Sequence, residues 1–256
     1  MVKKMLFRLP RTVKNEESGR IIVMNKLERY FVEDSKDFHG KNLVAPKDVL
    51  QKNGICEVGK DKLVIFDADF NDVYRRIKRN AQIITYKDIG AIISYCGLNR
   101  ASKVMEAGSG SGGFSCFIAG IVKEIDSFDV NVEHQETAKK NAENLGIKNI
   151  NFDIKDVYKE DLFEENDYDL FLLDVPEPSR ALSSASKVLR VGGFLVVYAP
   201  HISQVQEVVS NLSENLVVER TIEVIERDWN VSEKTLRPVT RDFGHTAFLC
   251  FVRKIC

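Results

Sequence analysis

Residues 103–113 read KVMEAGSGSGG, and the architecture of the surrounding chain follows from that stretch. KVMEA is a short, largely apolar run that fits a strand, whereas GGFSCFIAGIVKEI, which opens on its last two glycines, fits a helix. Between them, Gly108, Gly110, Gly112 and Gly113 permit a turn too tight for most other residues. A strand, glycine turn and helix in that order bring backbone N–H groups close to a ligand bearing a nucleotide-like or carboxylate group.

Strand-like and helix-like runs continue to alternate downstream. The expected strands after KVMEA are SFDVNVE (127–133), INFDI (150–154), DLFLLDV (169–175) and FLVVYAP (194–200), separated by helical stretches such as HQETAKKNAENLG and SQVQEVVSNLSEN. This alternation predicts an α/β fold, a parallel sheet covered on both faces. VVERTIEVIERDW and HTAFLCFVR then predict an antiparallel addition at the sheet edge. Upstream the pattern is different. GRIIVMN, KLERYFV and the hairpin ICEVGKDKLVIFDAD, turned by Gly59 and Asp61, predict a small β domain over residues 1–70, with the α/β domain over 71–256.

Charge divides along the same line. Residues 1–90 hold 19 Lys and Arg against 13 Asp and Glu, whereas the rest hold 18 against 25. Arg75, Arg76, Lys78 and Arg79 form a cluster able to attract phosphate, or simply a solvated helix face. Nowhere do roughly 18 apolar residues run together, so no membrane span is expected, and the opening residues lack the apolar core of a secretion signal. Five scattered cysteines without a paired spacing argue for cytoplasmic thiols and against a metal site.

Four acidic positions carry the chemistry. Gly108, Gly110 and Gly113 satisfy the dinucleotide pattern, and Glu133, read as the end of the second strand, suits ribose hydroxyls of NAD and of S-adenosylmethionine alike. Glu106, two residues before the first glycine, favours the latter, because a carboxylate there suits the ammonium of a methionine moiety. In LLDVPEP, Asp174 ends the fourth strand at the edge where open α/β sheets place their ligand crevice. Pro176 and Pro178 fix that loop and remove N–H donors, leaving Asp174 ready to accept hydrogen bonds. Asp156, after the third strand, is placed to accept from an adenine amine. An NAD-dependent oxidoreductase remains an alternative.

AQII followed by KDIG, EAGSGSGG, VEHQETAKKN, LLDVPEP, YAP leading to QVQEVV, Arg237-Pro238 and GHTAFL together resemble the tRNA (adenine-58-N1) methyltransferase family, in its bacterial and archaeal homo-oligomeric form. The resemblance runs from about Val73 to the end and is looser over the basic amino-terminal region, which is similar to that family's small RNA-contacting domain. It implies a Rossmann-like fold, S-adenosylmethionine as methyl donor, tRNA as substrate and a homotetramer. Position 58 is the implied target, with 57, another RNA or a small molecule left open. Gln82, Glu106 and the Gly108, Ser109, Gly110, Ser111, Gly112, Gly113 loop would hold the methionine part, Glu133 the ribose, Asp156 the cofactor adenine, and Asp174 would be catalytic. After AQII the family places Tyr or His and then Pro, whereas Thr85 and Tyr86 stand here, so Tyr86 is the candidate base contact. Pro176, Arg237, Arg241 and His245 complete the expected substrate side.

Overall fold

The computed structural model describes residues 2–16, 18–159, 167–240 and 244–256. The chain forms two compact units, Met1–Arg76 and Ile77–Cys256. None of the helices among the described residues is long and apolar enough to cross a membrane.

The first unit contains β1 (Lys3–Arg8), β2 (Arg11–Lys14), β3 (Ile21–Asn25), β4 (Glu28–Glu33), β5 (Phe38–His39), β6 (Val44–Ala45), α1 (Lys47–Leu50), β7 (Gly54–Val58), β8 (Asp61–Asp67) and α2 (Phe70–Tyr74). Strands β4, β1, β8 and β7 form an antiparallel sheet in that order. Leu6, Val32, Leu63 and Ile65 project from one face onto Leu43, Ala45 and Leu50 to make its core. Gly59 takes a positive φ of 61° at the β7–β8 turn. Asp69 caps α2 through the backbone of Asp72, a reciprocal pairing that ends the unit on a short helix.

The second unit contains α3 (Tyr86–Cys96), β9 (Lys103–Ala107), α4 (Gly113–Ile118), β10 (Glu124–Asp129), α5 (Val132–Asn144), β11 (Ile150–Ile154), β12 (Tyr168–Leu173), α6 (Leu182–Val188), β13 (Leu189–Ala199), α7 (Ile202–Ser210), β14 (Leu216–Glu223), β15 (Trp229–Ser232), β16 (Thr235–Pro238) and β17 (Phe248–Lys254). Its seven-stranded sheet has the order β11-β10-β9-β12-β13-β17-β14. The first five are parallel, and β17 runs antiparallel between β13 and β14. Strand order reverses between β9 and β12, which opens a crevice above their carboxyl ends.

Period-two alternation sorts the side chains of these strands between two cores. Met105, Phe171, Leu173, Val197 and Ala199 pack against α6 and α7, whereas Val104, Leu170, Leu172, Val196 and Phe251 pack against α3 and α4. The same parity carries Glu106, Asp174 and Tyr198 onto the α3 and α4 side.

One strand differs from the sequence expectation. The run read as a strand through residue 133 ends at Asp129, because the Asn131 side chain accepts from the backbone N–H groups of Glu133 and His134 and starts α5 there.

Candidate methyl-transfer site

A cleft of about 820 Å³ opens at the carboxyl ends of the parallel strands. Gly108 and Gly110 form its floor beside the ends of β9 and β10. Gly108 has a φ of 90°, and a Cβ there would lie 2.0 Å from the carbonyl oxygen of Asp174. Only glycine allows the turn after β9 and the loop after β12 to touch in this way. The contact is reinforced by the Asp174 N–H, which donates to the Ala107 carbonyl at 2.9 Å.

Ser111 straps the preceding segment over the floor. Its hydroxyl accepts from the backbone N–H groups of Asn80 and Ala81 at 2.9 and 3.1 Å, while Asn141 donates to the carbonyls of Lys78 and Ser111. Ala81 and Gln82 are thereby held on the cleft wall. Gly112, with a φ of 72°, lets α5 approach at Ala138, and Gly113 starts α4; both lie beneath the cleft rather than in its lining.

The expected role of Glu106 as a direct ligand contact needs correction. Its side chain is 2% exposed and does not line the cleft. Register pairs it with Ser127, whose hydroxyl donates to it at 2.5 Å and in turn meets the Ser109 hydroxyl at 2.6 Å. Burial, chiefly, and the charges of Asp174 and Asp129 push the Glu106 carboxyl up to about 8. Ser109, likewise buried, belongs to this network under the glycine turn.

Glu133 is also displaced from its expected role: it is exposed in the first turn of α5 and absent from the lining. The acid at the strand end is Asp129, which lines the cleft and accepts from the Gly110 N–H at 2.9 Å. Asn131 and His134 flank it. Asp156 lies in the wall with Lys155 and Tyr158 and accepts from the Tyr158 N–H at 3.0 Å. The Tyr158 hydroxyl accepts from the Glu177 N–H at 3.2 Å, joining this wall to the proline loop.

Asp174, Val175 and Pro176 form the next wall. Burial and, after it, the charge of Asp129 push the Asp174 carboxyl up to about 7. Gln204 of α7 donates to the Pro176 carbonyl at 2.9 Å and holds the loop from behind. Tyr198, Pro200, His245 and Thr246 also line the cleft. His245 Nδ1 pairs with the Glu223 carboxylate at 2.5 Å, and Nε2 with the Pro200 carbonyl at 2.8 Å. Two acceptors favour the doubly protonated ring, and the Glu223 bond, first, raises its affinity for a proton. Both nitrogens are thus engaged.

Tyr86 does not reach the cleft. As the first residue of α3 it turns outward, and its ring packs on Phe117 at 5.4 Å. Arg237 lies on the exposed β15–β16 hairpin, its Nη1 3.5 Å from the Thr240 hydroxyl, and is likewise absent from the lining. Arg241 falls outside the described residues. Sequence reasoning missed Asp129, Tyr158, Tyr198 and Thr246. Of these, only Asp129 carried a usable local signal, an acid just before an Asn helix cap.

The switch-point cleft, the glycine turn and the strand-end acids define an S-adenosylmethionine-dependent methyltransferase fold. The chain is similar to a crystal structure of a tRNA (m1A58) methyltransferase from Aquifex aeolicus, with a TM-score of 0.75 at 23% identity, covering 99% of this chain and 97% of that one. Residues 75–243 match the family model described as tRNA methyltransferase complex GCD14 subunit, and the chain belongs to that family. A tRNA (adenine(58)-N(1))-methyltransferase of Thermus thermophilus is 30% identical over 248 residues, 92% of this chain and 97% of its own. A tRNA (adenine(57)-N(1)/adenine(58)-N(1))-methyltransferase of Methanocaldococcus jannaschii is 29% identical over 265 residues, 91% of this chain and 94% of its own. Membership of this family sets aside the NAD-dependent alternative.

Proposed function

We propose that this chain transfers a methyl group from S-adenosylmethionine to N1 of adenine 58 in tRNA, with adenine 57 as a second possible target. The observation that carries the reading at the level of the site is Asp174, held at the carboxyl end of β12 against the glycine turn and facing the cleft. The family supplies the reaction and the tRNA substrate.

The residues present fit the cofactor. Gly108 and Gly110 floor the cleft without side chains, and the carboxyl groups of Glu106, Asp129 and Asp174 crowd one another around it, an arrangement that a cationic ligand relieves. Gln82 and the backbone of Gly108 and Gly110 would hold the methionine part, Asp129 the ribose hydroxyls, and Asp156 the exocyclic amine of the cofactor adenine. When bound, S-adenosylmethionine supplies an electrophilic methyl group on a sulfonium.

Asp174 accepts a hydrogen bond from the amine of the target adenine, which orients N1 and raises its electron density. Holding donor and acceptor in line contributes up to roughly 7 to 11 kcal/mol in the best-aligned systems. The N1 edge is buried in a base pair or stack of folded tRNA, so the base turns out of its stack to enter between Asp174 and the His245 wall. The basic cluster Arg75, Arg76, Lys78 and Arg79, all exposed, contacts the tRNA backbone, and the amino-terminal unit serves as an RNA-contacting domain. In this reading the protein works in the cytoplasm as a homotetramer.

Incubation with methyl-labelled cofactor and an unmodified tRNA transcript, followed by nucleoside analysis, tests the reaction. Label is expected in 1-methyladenosine and is lost, wholly or down to a position-57 remainder, when adenine 58 is replaced by guanine. Label in any other nucleoside refutes the assignment. Light scattering at micromolar concentration reads the oligomeric state, and a monomer mass contradicts the tetramer.

A further inference from the structure

Beside the cleft wall lies a buried ion pair that the mechanism above does not use. Asp88, in the first turn of α3, is 0% exposed, and the Lys87 ammonium donates to its Oδ1 at 2.8 Å. Asp88 Oδ2 accepts from the Thr85 hydroxyl at 2.8 Å, from the Thr246 hydroxyl at 2.8 Å and from the Tyr198 hydroxyl at 3.4 Å. Lys87 also donates to the Thr246 hydroxyl at 2.7 Å. Of these five residues, only Tyr198 and Thr246 line the cleft.

A buried ion pair is a poor device for stability alone, because the cost of removing two charges from water offsets most of their attraction. An apolar pair would fill α3 as well. What an apolar pair cannot do is fix hydroxyl groups. Thr246 receives a bond from Lys87 and gives one to Asp88, so its rotor is set, and the Tyr198 phenol is tied to the same oxygen. The three segments involved are about 110 and 160 residues apart in sequence and meet here. Tyr198 is also near enough to Asp174 for that carboxylate's charge to raise its phenol, behind the larger effects of burial and Asp88.

We propose that the Lys87–Asp88 pair is a positioning element for the target base, holding the Tyr198 and Thr246 hydroxyls in fixed orientation at the cleft. The proposal rests on the assigned base-methylation reading. In it, Thr85 also gives its hydroxyl to the same carboxylate, so the support behind this wall is polar and locked.

The test is a double-mutant cycle on the full chain with S-adenosylmethionine and unmodified tRNA. One variant, Lys87→Met with Asp88→Asn, removes both charges. A second, Tyr198→Phe with Thr246→Val, removes both hydroxyls, and a third combines them. Each of the first two is expected to lower kcat about tenfold to a hundredfold, with the KM for the cofactor within about twofold of wild type. The combined variant is expected to be no worse than the weaker of the two, since the pair acts through those hydroxyls. Losses that multiply overturn the proposal, as does a raised cofactor KM with unchanged kcat. Thr246→Val against Thr246→Ser gives a readout that does not depend on how the charge variant folds: serine restores the hydroxyl and should retain kcat, and valine should not. Equal rates for the two overturn it. Turnover by the unsubstituted chain reports separately on the assigned reaction.

Discussion

Replacing Glu106 by glutamine keeps the shape and the hydrogen bond from Ser127 and removes the ionisation. The carboxyl rises from an ordinary 4.5 to about 8 in the fold, with burial the largest cause. A carboxyl raised in this way favours folding in its protonated form, so its contribution is complete below about pH 4.5 and is lost as pH rises through 8. At about 1.4 kcal/mol per pH unit, the whole interval corresponds to an upper limit of roughly 5 kcal/mol. Urea unfolding of wild type and Glu106→Gln from pH 5 to 9 measures the difference directly. The variant is expected to gain on wild type progressively across that range, by several kcal/mol at its upper end, because it has no proton to lose. Titrating groups that do not interact with Glu106 are common to both chains and cancel in the comparison, whereas the repulsion from Asp174 and Asp129 is part of the difference measured. Parallel stability curves would show that the buried network does not hold Glu106 protonated, and would refute the reasoning.

Asp174→Asn is expected to lower kcat at least about a hundredfold while leaving cofactor affinity within about threefold, as read by single-turnover kinetics and calorimetry. In wild type, kcat/KM is expected to rise with pH through about 7 as the Asp174 carboxyl ionises, and the variant's profile to lose that limb. Asp129→Ala is expected to weaken cofactor binding about tenfold or more, whereas Glu133→Ala should leave it unchanged; the reverse order would restore the strand-end role to Glu133. Gly108→Ala forces a side chain onto the Asp174 carbonyl, and should abolish cofactor binding and lower the melting temperature, a change visible by scanning calorimetry. Tyr86→Ala should leave kcat/KM for tRNA within about twofold, because the ring packs on Phe117 outside the cleft.

That the glycine turn and Asp174 lie at the cleft was legible in the sequence because punctuation and period agree there, and Asp156 followed from its place just after a strand. Apolar strands end at glycine or proline, and a strand's carboxyl end in this architecture faces the crevice. Asp129 was obscured by its neighbours. Val130 and Val132 prolong an alternating pattern past the true strand end, and only the Asn131 cap marks the change to helical period. Glu106 was read at the right place in the chain but with the wrong surroundings: alternation turns it under α4, and its partner Ser127 is set by register between strands. Tyr86 shows the limit of a one-position shift, since the first residue of a helix points away from the residue before it. The Lys87–Asp88 cluster joins segments far apart in the chain, and no local pattern announces it.

In the proposed function, the contact between Gly108 and the Asp174 carbonyl gives donor grip and acceptor alignment a common mechanical origin. Two loops 66 residues apart in the chain touch there backbone to backbone, so in that reading a displacement of either moves the sulfonium side and the purine side together. The opposite wall is held independently of that contact, Tyr198 and Thr246 by the Lys87–Asp88 pair and His245 by Glu223, so it shifts without disturbing the glycine turn.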